Sequence, residues 1–192
     1  IGKFIMDWMD KEEFINVKTS GSTGDPKIIK LSKQAMVNSA IRTGDFFDVQ
    51  IGDSALHCLP ADFIAGKMML VRAMILGLSL DLVQPTTQPM RDVYSSYDFA
   101  AMTPLQAHHS LGRLHQIKTL IIGGAPIYPE LYDKLVSIHD NCYETYGMTE
   151  TITHIAASKL SFPKKPFRAL DGIHLNVDGQ GCLIVDAPDI TD

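Results

Sequence analysis

Short apolar runs alternate with longer stretches of helical periodicity along most of this chain, and that alternation limits the possible folds more than any other feature. "SALHCLP" (54–60) reads as a buried strand stopped by proline. "IAGKMMLVRAMILG" (64–77) reads as a helix closed by Gly77, since glycine commonly ends helices. The pattern repeats: strand "LSLDLVQP" (78–85), strand "YDFAAMTP" (97–104), helix "LQAHHSLGRL" (105–114), strand "KTLIIGG" (118–124), helix "YPELYDKLVSIH" (128–139), strand "NCYETYG" (141–147) and strand "GCLIVDAP" (181–188). Upstream, "VKTS" and "KIIKL" are two short extended pieces, followed by a helix, "SKQAMVNSAIRTGDFF". Ser32 is its expected N-cap, and Ala35, Met36, Ala40 and Ile41 are its apolar positions. Strand-then-helix repetition predicts an α/β fold with a mainly parallel sheet and flanking helices.

Ligands of such sheets gather at the carboxyl ends of the strands. The loops expected there have the most unusual composition in the chain: "TSGSTGDPK" (19–27), "LPADFIAG" (59–66), "GGAPI" (123–127) and "YGMTET" (146–151). In the first, Gly21 and Gly24 can turn backbone N–H groups toward an anion. Thr19, Ser20, Ser22 and Thr23 add hydroxyls, and Lys27 adds a point charge. The pattern differs from a Walker A loop, because Asp25 and Pro26 separate the second glycine from Lys27 and a strand-like run follows. An ordinary hairpin turn is the plainer reading, although turns seldom need four hydroxyls. For "YGMTET" alone, the plainer reading is a strand-to-helix turn capped by Thr149.

Composition excludes several classes. Over 192 residues the net charge is −5 with no basic run, which argues against nucleic-acid binding and a polybasic membrane patch. The longest apolar stretch, "MMLVRAMILGLSL", is broken by Arg72 and too short to span a bilayer, so no membrane insertion is expected. Cys58, Cys142 and Cys182 suit buried thiols in a reducing compartment, and a cytoplasmic location is the default expectation. His57 and Cys58 belong to a core strand, and Met68, Met69 and Met74 read as core filler. His108 and His109 are adjacent and would diverge on a helix, a poor metal pair. Lys67 and Arg72 could answer a carboxylate, although helical cations are usually solvated. Between Leu111 and Gln116 the connection looks short enough for residues to have been lost.

"TSGSTGDPK" resembles the phosphate loop of the adenylate-forming superfamily, which comprises acyl-CoA synthetases, luciferases and peptide-synthetase adenylation domains. "YGMTET" resembles its second hallmark, "GGAP" falls between the two in the expected order, and "LPADFIAG" is similar to its L-P-x-x-aromatic/His-x-x-G segment. The whole-chain texture is most similar to the short o-succinylbenzoate–CoA ligases of menaquinone synthesis. The resemblance implies that residues 1–192 are the core of the large N-terminal ATP- and acyl-binding domain, truncated before a small lysine-bearing domain. It implies ATP, Mg²⁺ and coenzyme A, and a small carboxylic acid that is adenylated and then passed to CoA.

For single residues, the resemblance places Thr19, Ser20, Gly21, Ser22, Thr23, Gly24 and Lys27 on the β- and γ-phosphates. Gly123, Gly124, Ala125 and Tyr146 would hold adenine, and Gly147 would lie beside the nucleotide and the acid. Thr149 would contact the α-phosphate, with Thr149, Glu150 and Lys27 as the catalytic group and Glu150 with Thr19 at the metal. Phe63, Gly66, Gly147 and Met148 would line the acyl pocket. Phe63 occupies a position where many o-succinylbenzoate ligases carry histidine. Other aryl- or fatty-acyl-CoA ligases, amino-acid adenylation domains and a non-catalytic adenylate-binding domain are the alternatives. Acting without the lysine-bearing domain, the chain is expected to bind ATP weakly and adenylate little.

Overall fold

The computed structural model describes residues 1–19 and 27–190. In chain order the elements are α1 (Gly2–Met9), β1 (Phe14–Lys18), β2 (Ile28–Ser32), α2 (Lys33–Phe47), β3 (Ser54–His57), α3 (Ile64–Leu76), β4 (Ser79–Leu82) and β5 (Tyr97–Met102). They continue with α4 (Pro104–Ser110), β6 (Ile117–Ile122), α5 (Pro129–Ile138), β7 (Cys142–Gly147), β8 (His154–Lys159), β9 (Arg168–Ala169), β10 (His174–Val177) and β11 (Leu183–Asp186). Seven strands form the central sheet in the order β4-β3-β5-β6-β7-β8-β9. The first five run parallel, and β8 and β9 are antiparallel to their neighbours. Separate antiparallel hairpins join β1 with β2 and β10 with β11.

Because helices cover both faces, the central strands are apolar at consecutive positions rather than alternate ones. Phe99, Ala101 and Ile121 face Phe47 of α2 and Met69 of α3. Ala100, Met102, Leu120 and Ile122 face Ala107 of α4 and Leu131 and Leu135 of α5. A further cluster packs the β1–β2 hairpin on α2 and α3, together with Phe4 and Ile190.

Ser32 caps α2 as expected, accepting from the Ala35 N–H at 3.4 Å, and Gly77 ends α3 with φ 68°. The elements without a strong sequence signal are α1, β8, β9 and β10. Two apolar residues read as core are exposed: Ile41 at 44% and Met74 at 39% lie off the buried stripes of their helices. The helix expected over 105–114 stops at Ser110 and tightens into a 3-10 helix over Leu111–Gln116, so that connection is continuous and regular. Cys58 and Cys142 are buried and their thiols are pushed up to about 12 by burial, whereas Cys182 is exposed. No helix among the described residues is long and apolar enough to cross a membrane.

At the start of α4, Thr103 and Gln106 form a reciprocal capping box, and the buried Gln106 amide also donates to the Cys58 carbonyl (2.8 Å) and the Thr86 carbonyl (3.0 Å). Gln106 therefore ties α4 to the segment following β3. Gln106→Leu leaves two carbonyls and the Thr103 N–H without this partner, and about 2–4 kcal/mol of stability should be lost. A urea midpoint unchanged from wild type would refute that assignment.

Candidate active site

The parallel strands β3, β5, β6 and β7 bring the segments after them to one edge of the sheet. Three of the four loops singled out from the sequence lie there. The fourth closes the β1–β2 hairpin: the Thr19 N–H donates to the Lys27 carbonyl at 2.9 Å, and the Lys27 N–H donates to Thr19 Oγ1 at 3.0 Å. These two bonds pair Thr19 with Lys27 across the hairpin. Ser20, Gly21, Ser22, Thr23 and Gly24 lie outside the described residues.

After β3, the turn at 59–66 folds back on the first turn of α3. Gly66 sits so close to Pro60 that a Cβ would overlap the Pro60 carbonyl. Phe63 precedes the helix and is 41% exposed. Lys67 reaches back to the Ala61 carbonyl (2.5 Å) and the Asp62 carbonyl (3.2 Å), with its ammonium 5.5 Å from the Phe4 ring centroid. Burial lowers its pKa, with the nearby Asp62 and Asp7 acting in the opposite direction. Half-buried Lys67 thus spends two of its donors on the turn that carries Phe63 and pins it.

After β6, the Gly123 N–H donates to the Met102 carbonyl at 3.1 Å, and Gly124 takes φ 85°, a conformation that favours glycine. A Cβ on Gly123 would overlap Thr145 Oγ1, and that hydroxyl donates to the Ile122 carbonyl at 3.1 Å. Buried Glu144 accepts from the Ile127 N–H at 3.1 Å and lies 3.7 Å from the Lys164 ammonium. Two neighbouring residues of β7 therefore hold both ends of the glycine turn.

At the end of β7, Tyr146 is half exposed, its ring edge-on to Phe167 at 6.3 Å. The register slips between Tyr146 and Gly147, and a Cβ on Gly147 would overlap the Thr153 carbonyl. Thr149–Thr151 forms one 3-10 turn closed by Ile152 at φ 63°, an uncommon conformation for a β-branched residue. Thr151, not Thr149, organises it: its buried hydroxyl accepts from the Met148 N–H at 3.1 Å and lies 2.8 Å from the Thr153 carbonyl. Among the described residues the side chains of Thr149 and Glu150 make no hydrogen bond or ion pair, and Met148 is 56% exposed. Glu150 lines a cavity of about 590 Å³ together with Ile29–Ser32 of β2. The Glu150 carboxylate and the Thr19 hydroxyl are hard oxygen donors of the kind Mg²⁺ takes beside phosphate oxygens, so their donor chemistry fits that ion.

Sequence reading missed the polar cluster behind this edge. Arg72, read from sequence as either a carboxylate partner or a solvated cation, is only 2% exposed, and no carboxylate among the described residues pairs with it. Its Nε donates to Thr43 Oγ1 at 3.3 Å and its Nη2 to Thr153 Oγ1 at 3.1 Å. Nη1 has only Met69 Sδ, at 4.0 Å. Burial lowers its pKa to about 10, which leaves the guanidinium charged at neutral pH. The available signal was an arginine flanked on both sides by apolar residues, Met68–Val71 and Ala73–Leu76, within α3.

Fold and site together define an α/β domain of the adenylate-forming type. The chain belongs to the AMP-binding enzyme family, whose model matches residues 17–189. It is similar to an acyl-CoA synthetase (AMP-forming)/AMP-acid ligase II-like protein from Dyadobacter fermentans, with 34% identity and a TM-score of 0.89, covering 98% of this chain and 56% of that one. A 2-succinylbenzoate–CoA ligase of Enterococcus faecalis is 29% identical over 73% of this chain and 31% of its own length. The o-succinylbenzoate coenzyme A synthetase of Bacillus subtilis, solved in complex with ATP and magnesium ion, shares the fold at 20% identity and a TM-score of 0.80, over 92% of this chain and 41% of that one. The chain therefore spans about a third to a little over half of these proteins.

Proposed function

We propose that the protein carrying this domain adenylates a carboxylic acid with ATP and passes the acyl group to coenzyme A, and that the acid is an aromatic dicarboxylate such as o-succinylbenzoate. The substrate carboxylate attacks the α-phosphorus, the bond to the bridging oxygen breaks, and pyrophosphate leaves. The CoA thiol then displaces AMP from the acyl-adenylate. No side-chain nucleophile is required, so the chain contributes positioning and charge stabilisation.

In this reading Lys27 and segment 20–26 hold the β- and γ-phosphates. The Thr149 hydroxyl donates to the α-phosphate as charge builds there. Tyr146 stacks on adenine beside the turn Gly123–Ala125, while Phe63, Gly66, Gly147 and Met148 border the acid. Glu150 and Thr19 would hold Mg²⁺, whose contribution when bound is neutralisation of triphosphate charge. The reaction would take place in the cytoplasm, with no nucleic-acid partner.

The observation that carries the choice of acid is buried Arg72. A desolvated cation without an anionic neighbour is costly, and an anion supplied by the substrate relieves that cost. Of the two carboxylates of o-succinylbenzoate, one is adenylated and the other remains charged.

The test is pyrophosphate release by the full-length protein with ATP, Mg²⁺ and a panel of acids, with and without CoA. Release with o-succinylbenzoate, and thioester only when CoA is present, is the expected result. Release with monocarboxylates alone would keep adenylation and discard the dicarboxylate. ATP binding without release for any acid would favour a non-catalytic domain.

A further inference from the structure

We infer that Thr43, Thr153 and His154 are positioning residues that hold the Arg72 guanidinium in one orientation for a second anionic group of the acid. The inference rests on the dicarboxylate reading and extends it to residues with no expected role. Its basis is a closed ring of hydrogen bonds. Thr43 comes from α2, Arg72 from α3, Thr153 from the turn after β7 and His154 from the start of β8. His154 Nε2 lies 3.3 Å from Thr43 Oγ1, and His154 Nδ1 lies 3.4 Å from Thr153 Oγ1. Both hydroxyls also accept from Arg72.

With the His154 imidazole neutral, the proton positions around the ring follow from the Thr43 hydroxyl. The Thr43 hydroxyl donates its one proton to the Ser39 carbonyl at 2.9 Å. His154 Nε2 must then carry a proton and donate to Thr43. His154 Nδ1 is left as an acceptor and takes the Thr153 hydroxyl proton. Burial together with adjacent Arg72 holds the His154 pKa well below its usual value, which favours this neutral imidazole. Nε and Nη2 both donate to hydroxyls, so the ring fixes the guanidinium plane without neutralising it.

A purely structural arginine at this depth would be expected to bind carboxylates or several carbonyls. Arg72 instead has two hydroxyl partners and one nitrogen without an oxygen partner. Residues that fix the plane also fix where a carboxylate can make two parallel bonds to the fork.

The experiment compares o-succinylbenzoate with benzoylpropionate, which keeps the succinyl arm and lacks the ring carboxylate. KM and kcat for pyrophosphate release are measured on the full-length protein and its Thr43→Val, Thr43→Ser, Thr153→Val and Arg72→Met variants. Loss of one ring bond should raise KM for o-succinylbenzoate about tenfold while KM for benzoylpropionate and ATP stays within about twofold. Thr43→Ser should restore wild-type KM, since it keeps the hydroxyl. If Thr43→Val does not fold, Thr153→Val, at a half-buried position, carries the comparison. Equal losses for both acids would make the ring merely structural and overturn the inference. Selective loss in Arg72→Met but not in the threonine variants would overturn the ring and leave the dicarboxylate reading standing. No preference in wild type, no change in Arg72→Met, or no turnover of either acid would remove both.

Discussion

Gly147→Ala should lower pyrophosphate release by about 100-fold and stability by about 1–3 kcal/mol. The new methyl group would overlap the Thr153 carbonyl and come within 2.6 Å of the His154 Cα. Both neighbours are backbone, so neither can swing aside as a side chain would. The β7–β8 connection must open instead, displacing Thr149 and Glu150 on one side of the overlap and Thr153 on the other. Gly124→Ala is the useful contrast: that glycine has positive φ but nothing within 4 Å of an added Cβ, so only backbone strain of about 1–2 kcal/mol is expected. Steady-state kinetics and urea midpoints of the two variants separate the mechanisms. Gly147→Ala within about twofold of wild-type activity would mean that the close approach does not position the site.

Acidification should destabilise the domain well before its carboxylates titrate. His57, His139 and His154 all have pKa values lowered in the folded protein, chiefly by burial. Arg72 adds to the effect at His154, while a hydrogen bond to the Ile117 carbonyl opposes it at His139. With folded values below the ordinary imidazole value, the unfolded chain binds more protons in the interval between them. Stability is therefore complete above about pH 6.5 and falls as pH drops toward each folded value, by about 1.4 kcal/mol per pH unit for every imidazole still neutral. Asp10 and Asp98 are held below the usual carboxylate range, Asp10 by Lys33 and Asp98 by Ser54, so their contributions vanish only at lower pH. Urea midpoints should fall steadily between about pH 6.5 and 4.5. A flat profile over that interval would show that the three rings protonate without cost.

Much of the fold was legible because its central strands are buried on both faces and appear as apolar runs such as "KTLIIGG". The strand β8, "HIAASK", was not read, because its burial is by small residues and its first residue is a histidine serving the Arg72 ring. Loop positions were legible where chemistry demands glycine: the close approaches at Gly66, Gly123 and Gly147 give physical reasons for three of the residues named from sequence. Thr43 and His154 were not, since a helical threonine and a strand histidine carry no local sign of what they face. Their role depends on α2, α3 and β8 meeting, which is a property of the packed sheet.

Lys67 and Arg72 stand five positions apart on α3 and are held by different partners. One fastens the turn carrying Phe63 and the other sits in the hydroxyl ring. In the proposed reading, where Phe63 and Arg72 both meet the acid, the helix separates the shape of the acid pocket from its charge. Acid preference can drift at Arg72 while the turn keeps its form, and the turn can be remodelled around Phe63 without altering the electrostatic demand. On that proposal, substitutions at the two positions should act independently, one on the fit of the acid and the other on its charge.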